Sequence, residues 1–315
     1  MTISFVGCRW ESAGTIAVIP RTSGTMLWEP EHGGADTAAH AAGMKVYWNA
    51  PTREDDIAAQ INLVESVTQG KFRGLILAPD QALALMTPVR RALARGLPTV
   101  IVSSPLSIPP GGKLSYVLND DEAGGRIAAE RVATLLHGRG SVMILGMNPD
   151  ISGIMIRARS LETLLHEKYP DIDIVDRRAG TFNMPHEQQV AEEALRAHPG
   201  VGVIVALMWS STMGALSTVD SNHMSHPIKV IGFDPNGFPL QYPSLDSLIA
   251  QDTRQMGSLA VADIVAELQG APTSPVIRLA PVLVTRDNIN SERIKNLFST
   301  DWGSKALTLD SSESR

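Results

Sequence analysis

The apolar positions of this chain fall into short unbroken runs separated by longer stretches with helical spacing. Ile16-Ala17-Val18-Ile19 stops at Pro20, and Val46-Tyr47-Trp48 follows an Ala-rich helical stretch from about Glu31 to Ala42. Thr52 offers an N-cap, with Asp55 three residues on, ahead of Ile57, Ile61, Leu63 and Val64. Leu75-Ile76-Leu77-Ala78 and Val100-Ile101-Val102 come next, with a helical pattern from Leu83 to Arg95 between them. The alternation then restarts. Helical patterns over Glu122–Leu136, Arg157–Tyr169, His186–Ala197, Met213–Val219 and Gly257–Leu268 separate runs at Val142–Leu145, Ile172–Val175, Val203–Ala206, Val230–Phe233, Leu248–Ala250 and Val282–Val284. Strands that are apolar throughout, alternating with helices, predict βαβ units around parallel sheets.

About ten such strands are too many for one parallel sheet with loops this short. The pattern therefore predicts an α/β protein of two doubly wound parallel-sheet lobes. Leu106 to Lys113, with Pro109, Pro110, Gly111 and Gly112, punctuates the join. The end of the chain, residues 297–315, is polar and Ser-rich and reads as a flexible tail.

Composition narrows the function classes. With 315 residues, 43% hydrophobic and 19% charged, the chain can bury a sizeable core. Its formal charge of −6 argues against a nucleic-acid partner, which calls for a basic footprint. No apolar run reaches the ~18 residues of a membrane span. One cysteine, Cys8, excludes an intrachain disulfide framework and a cysteine-rich metal site. His223-x-x-His226 lies in a polar loop without a third ligand type, so no metal is assigned. No nucleophile elbow, zinc-protease helix, phosphate loop or dinucleotide fingerprint occurs, and no general acid and base pair up, so neither enzyme nor cofactor is expected.

Ile231-Gly232-Phe233-Asp234, Ala250-Gln251 before a helix carrying Gly257, and the ending Leu283-Val284-Thr285-Arg286-Asp287-Asn288, set in the repeated α/β plan, resemble ribose-type (type I) periplasmic sugar-binding proteins of ABC importers. The effector domains of lactose-repressor-type regulators share that fold. The resemblance spans about residues 14–290. It implies two lobes joined by a three-segment hinge, with a sugar or polyol held in the cleft of a monomer and delivered to an ABC transporter permease. The crossings fall near Asn119–Asp120, Gln251–Asp252 and Leu279–Pro281. The lobes are then 14–119 plus 252–280 and 120–251 plus 281–296, preceded by a leader, 1–13. The alternative, an effector-binding region of a transcription regulator, calls for a helix-turn-helix of ~60 residues upstream. About 13 residues precede the first strand, which favours transport. Within the leader, Phe5-Val6-Gly7-Cys8 resembles a bacterial lipoprotein processing site. Cys8 is thus the expected lipid attachment point, and the periplasm or cell envelope the expected location.

Ligands of open α/β sheets bind beyond the carboxyl ends of the strands. A sugar wants charged or amide partners for its hydroxyls and aromatic rings for its C–H faces. After the first strand, the loop from Arg21 carries Thr25, Leu27 and Trp28, and the resemblance makes Trp28 an aromatic platform. Ser103 and Ser104 stand where the family usually carries an Asp-Arg pair, and Met208 and Trp209 where it has Asn and Asp. Arg159, from Arg157-Ala158-Arg159, matches the family's sugar-reaching arginine, and Phe182 its second-lobe aromatic. Asp234 is expected to accept two hydroxyls, and Gln251 to bind ligand at a crossing. Loss of the two polar pairs makes the cleft more apolar than that of a simple pentose binder.

Overall fold

A computed structural model describes residues 14–221, 226–235, 237 and 241–300. Cys8 and the rest of the leader, His223, and the tail from 301 onward lie outside the described residues. The first half of the chain runs β1 Thr15–Ile19, α1 Glu29–Ala41, β2 Lys45–Trp48, α2 Ile57–Gln69, β3 Gly74–Leu77, α3 Ala82–Ala94, β4 Thr99–Ser103 and β5 Leu114–Asn119. The second runs α4 Asp121–Leu135, β6 Gly140–Met147, α5 Ser152–Lys168, β7 Ile172–Ala179, α6 Met184–Ala197, β8 Val203–Ala206, α7 Trp209–Ser221, β9 Lys229–Phe233 and β10 Leu245–Ala250. Then come α8 Thr253–Leu268, β11 Val276–Leu279, β12 Val282–Thr285 and α9 Glu292–Leu297.

The strands form two six-stranded sheets, ordered β11-β5-β4-β3-β1-β2 and β12-β10-β9-β8-β6-β7. Each makes one α/β lobe. β1, β3 and β4 are buried along almost their whole length, as strands covered by helices on both faces must be. The chain passes between lobes three times: from β5 into α4, from β10 into α8, and from β11 into β12. The first two passages are built alike. Asp120 and Asp252 each cap the following helix, accepting the amides of Ala123 and Gln255 at 2.8 and 2.9 Å. The Asp120 amide donates to the Leu279 carbonyl at 2.9 Å, tying the first passage to the third.

The structure departs from the sequence reading at several elements. β5 and β11 are strands the pattern did not mark. β5 hides directly behind the Pro/Gly-rich join, and β11 is an edge strand broken by Arg278. β12 runs antiparallel to β10, with Ala250 opposite Val282. Only Ala280 and Pro281 separate β11 from β12, with no helical crossover to restore direction. The cap of α2 is Asp56, not Thr52. Its carboxylate accepts the Ala59 amide at 3.0 Å, and residues 52–56 stay a loop. α5 begins at Ser152, five residues before Arg157. Leu297, assigned to the start of a flexible tail, ends α9 and is buried against the second lobe's core.

Candidate functional site

Both sheets present the carboxyl ends of their strands to a shared cleft, and the loops there come from both lobes. The larger part is a cavity of about 530 Å³. Thr25, Leu27, Glu54 and Asp55 line it from the first lobe, and Ile154, Phe182, Met208 and Trp209 from the second. A narrower inner part is lined by Trp28, Ser103, Asn119 and Gln251. Arg21, Leu27 and Asp234 border both parts and join them.

Backbone geometry marks the same place. Among the described residues, four other than glycine have positive φ: Asp55, Ser103, His137 and Asp234. Three of them line the cleft. Left-handed backbone is strained for such residues and collects at functional sites. Ser103 ends β4 and Asp234 follows β9, so the two lobes each place one such residue at the cleft.

Of the residues singled out from sequence, Thr25, Leu27, Trp28, Ser103, Phe182, Met208, Trp209, Asp234 and Gln251 line the cleft. Ser104 sits just behind it, buried, and accepts a hydrogen bond from the Arg21 guanidinium at 3.0 Å. Arg159 is a correction. It lies on an exposed groove with Glu122, Arg126 and Glu167, away from the cleft. Its neighbour Arg157 is the one turned inward. Two residues along a helix are about 200° apart around the axis, so only one of the pair can face the core. Arg157 falls on the buried face of α5 with Ile154, Ala158, Leu161, Leu164 and Leu165.

Arg157 anchors the floor of the second lobe. Its guanidinium donates to Asp121 at 2.7 Å, Asp234 at 2.5 Å and the Leu207 carbonyl at 3.0 Å, and lies over the Phe233 ring at 4.9 Å. Burial works against its charge, but Asp234 and Asp121 outweigh that and raise its pKa further. Burial also raises the Asp121 pKa, against the pull of Arg157. Asp234 is therefore held in place from behind while part of its carboxylate still faces the cavity.

Arg21, Asn119 and Glu54 are cleft residues the sequence reading missed. Arg21 is buried; it donates to the Pro79 carbonyl at 3.1 Å and to the Ser103 hydroxyl at 3.4 Å, and crosses the Trp28 ring at 5.6 Å. A charge absent after the fourth strand thus arrives from the end of the first. Asn119 donates to the Ser103 hydroxyl at 3.3 Å while its carbonyl oxygen has no hydrogen-bond partner. Gln251 is buried with both amide atoms unpartnered, and the Thr25 hydroxyl is likewise unpartnered. Buried polar atoms without partners are costly, so this group is set to receive hydrogen bonds from a ligand or water.

The first-lobe side of the cleft carries both signs of charge, Arg21 and Arg53 beside Glu54 and Asp55. Burial pushes the Glu54 carboxyl up to about 7, with Arg21 opposing and Asp80 and Asp55 adding to the rise. Burial likewise pushes Asp80 to about 6, again against Arg21. Glu31 on α1, fully buried, is pushed to about 8. Among the described residues, no group of three or more His, Cys, Asp or Glu is arranged to hold a metal, and no helix is long and apolar enough to cross a membrane.

Residues 16–272 match the model of the periplasmic binding protein domain family. The chain is 27% identical over 230 residues to the ribose import binding protein of Bacillus subtilis, covering 72% of each chain. It is 24% identical to the xylitol-binding protein of Mycolicibacterium smegmatis, covering 82% of this chain and 73% of that one. Among solved structures, a carbohydrate transporter solute-binding protein from Agrobacterium radiobacter in complex with D-arabinose superposes with a TM-score of 0.83. The two are 24% identical, over 90% of this chain and 98% of that one. A solute-binding protein from Burkholderia graminis, also with D-arabinose, gives 0.78 at 25% identity, over 89% and 98%.

Proposed function

Because the chain belongs to the periplasmic binding protein domain family, we propose that it is an extracytoplasmic solute-binding protein of an ABC importer. It captures a polyhydroxylated ligand, a sugar or polyol, between its lobes and presents it to a permease. The observation that carries this reading is the convergence of the unpartnered Asn119 carbonyl oxygen and the unpartnered Gln251 amide with Arg21 and Asp234 beside the Trp28 ring. Amides and charged groups suit hydroxyls, and an indole suits the C–H face of a sugar. The relatives named for ribose and xylitol support the same ligand class. The second lobe contributes Phe182, Met208 and Trp209, so part of the ligand meets apolar surface. Anchoring through Cys8 belongs to this reading. Fatty-acid labelling of the wild type in a bacterial envelope, against Cys8→Ser, tests it.

The experiment that tests the main reading is a thermal-shift screen over aldopentoses, hexoses, pentitols and methyl glycosides. A ligand at 100 times its Kd adds about 2.7 kcal/mol, which raises Tm by roughly 2–4 °C or more for a chain of this size. No shift across that set at millimolar concentration would overturn the sugar reading.

A further inference from the structure

The inner part of the cleft ends against the last turn of α9. Leu297 and Phe298 border it there, together with Pro30 of α1 and Pro235, the residue after Asp234. Leu297 is buried in the second lobe's core, and Phe298 is half-buried against the same core. The segment also reaches the first lobe, since the Arg254 guanidinium of α8 donates to the Ser299 carbonyl at 3.4 Å. Leu297 and Phe298 lie beyond residues 16–272, the stretch that matches the family model, so family membership carries no expectation for them.

The inner part joins two kinds of surface. Arg21, Ser103, Asn119, Asp234 and Gln251 bring polar groups to it. Gln251 is only 6% exposed, and neither of its amide atoms has a hydrogen-bond partner among the described residues. A buried amide in that state is set to pair with a ligand or water. Pro30, Pro235, Leu297 and Phe298 supply carbon surface, with no side-chain donor or acceptor and, at the prolines, no backbone N–H. The space these residues enclose is small. It is about 30 Å³, where a single water needs roughly 10–15 Å³. The outer part, at about 530 Å³, is far larger. The cleft is therefore closed at its inner end and roomy at its outer end. A hydroxymethyl group suits the inner end, with its oxygen on the Gln251 amide and its carbon on the apolar wall.

We propose that Phe298 is a specificity-determining residue of the ligand site. With Leu297 it walls off the inner end, so that the buried terminus of the ligand is one group of hydroxymethyl size. This inference deepens the solute-binding reading above and rests on it. Bulk added at the buried terminus strikes the wall, whereas bulk at the opposite end of the ligand enters the outer part.

Isothermal titration calorimetry on the wild type and Phe298→Ala tests it. The probes are D-ribose, D-arabinose, D-galactose and D-glucose, each beside its methyl glycosides and its terminal O-methyl ether. For a parent sugar that binds, methylation at one end weakens wild-type binding roughly tenfold or more through overpacking. Phe298→Ala recovers most of that loss, while methylation at the other end is tolerated by both proteins. Recovery separates a steric wall from a lost hydroxyl donor, which no change at Phe298 restores. Phe298→Val keeps part of the contact with the second-lobe core and recovers less, and the Tm of each variant shows that it folds. Phe182→Ala, in the outer part, weakens parent and ethers alike and leaves the methylation penalty in place. Methylation tolerated at both ends, or a penalty that Phe298→Ala and Phe298→Val leave unchanged, would overturn the wall and keep the sugar reading intact. No binding by any probe would overturn the sugar reading and the size limit with it.

Discussion

A buried side chain acts according to the partners it has. Gln251 has none among the described residues, whereas Asp121 is bound to Arg157 with only 4% of either side chain exposed. The two residues should respond oppositely to mutation. Gln251→Leu removes an orphaned amide, so the ligand-free protein keeps or raises its Tm while sugar affinity falls on the order of tenfold. Asp121→Ala leaves a buried guanidinium short of a partner and should cost about 3–5 kcal/mol of stability, measured by urea denaturation. Asp234 stands between these cases. It serves as a ligand candidate and also as Arg157's second partner, so Asp234→Ala should lower both affinity and stability. Glu31 sets a pH dependence. Burial raises its folded pKa from 4.5 to about 8, so the folded protein holds a proton that the unfolded chain has released. Stability therefore falls as pH rises from about 4.5 to 8, and Glu54 and Asp80 add the same sign over narrower windows. The ligand-free Tm should be higher at pH 5.5 than at pH 8, and Glu31→Gln should flatten the difference. A Tm that climbs steadily between those pH values would mean that Glu31 is ionised in the fold.

At the scale of elements, the site depends on how closely helices approach. α4 meets α5 at Gly125, where a side chain would strike the Arg157 carbonyl and Ser160. α1 meets α8 at Gly257, where it would strike the Glu31 carbonyl and the Ala35 amide. Backbone cannot yield as a flexible side chain does, so Gly257→Val should cost about 1–3 kcal/mol through overpacking. Gly125→Val should do the same and also tilt Arg157 away from Asp234, so its sugar affinity should fall with its Tm. Gly257→Val, farther from the cleft floor, should lose Tm with little change in affinity at low temperature. Equal affinity losses would place the α1–α8 packing in the ligand site as well. The two connecting strands the pattern missed matter here too. β5 delivers Asn119 to the cleft, so a reading without β5 had no strand end on which to place it.

The whole molecule is two lobes linked by three strand passages, an arrangement suited to hinge closure. Trp28 on one lobe and Trp209 on the other both border the cleft, while Trp48 stacks on His32 at 4.3 Å on the first lobe. A ligand shifts an open–closed balance only by its differential affinity for the two states, so closure requires contacts from both sides. Binding should therefore change intrinsic fluorescence and lower the radius of gyration in small-angle scattering. Trp28→Phe and Trp209→Phe should each reduce the fluorescence change, and Trp48→Phe should leave it nearly intact. An unchanged radius with no fluorescence response at saturating ligand would replace the clamp with a static pocket.

The apolar runs and their spacing were enough to determine two wound α/β lobes, because strands buried on both faces must be apolar throughout and helices must cover them. Residues directly after strands were legible as cleft candidates for the same topological reason, and Ser103, Met208, Asp234 and Gln251 line it, while Trp28, farther along its loop, was expected there only from the family resemblance. Tertiary structure alone decided the rest. Which of Arg157 and Arg159 turns inward depends on which face of α5 packs against the lobe, the one that buries Ile154, Ala158 and Leu161. The loop that carries Glu54 into the cleft reads as the first turn of a helix until Asp56 is seen to cap α2. The guanidinium beside Ser103 and Ser104 comes from Arg21, about 80 residues away in sequence, because β3 alone separates β1 from β4 in the sheet. Local pattern fixes which surfaces are buried. Only packing between distant segments fixes which polar groups meet inside them.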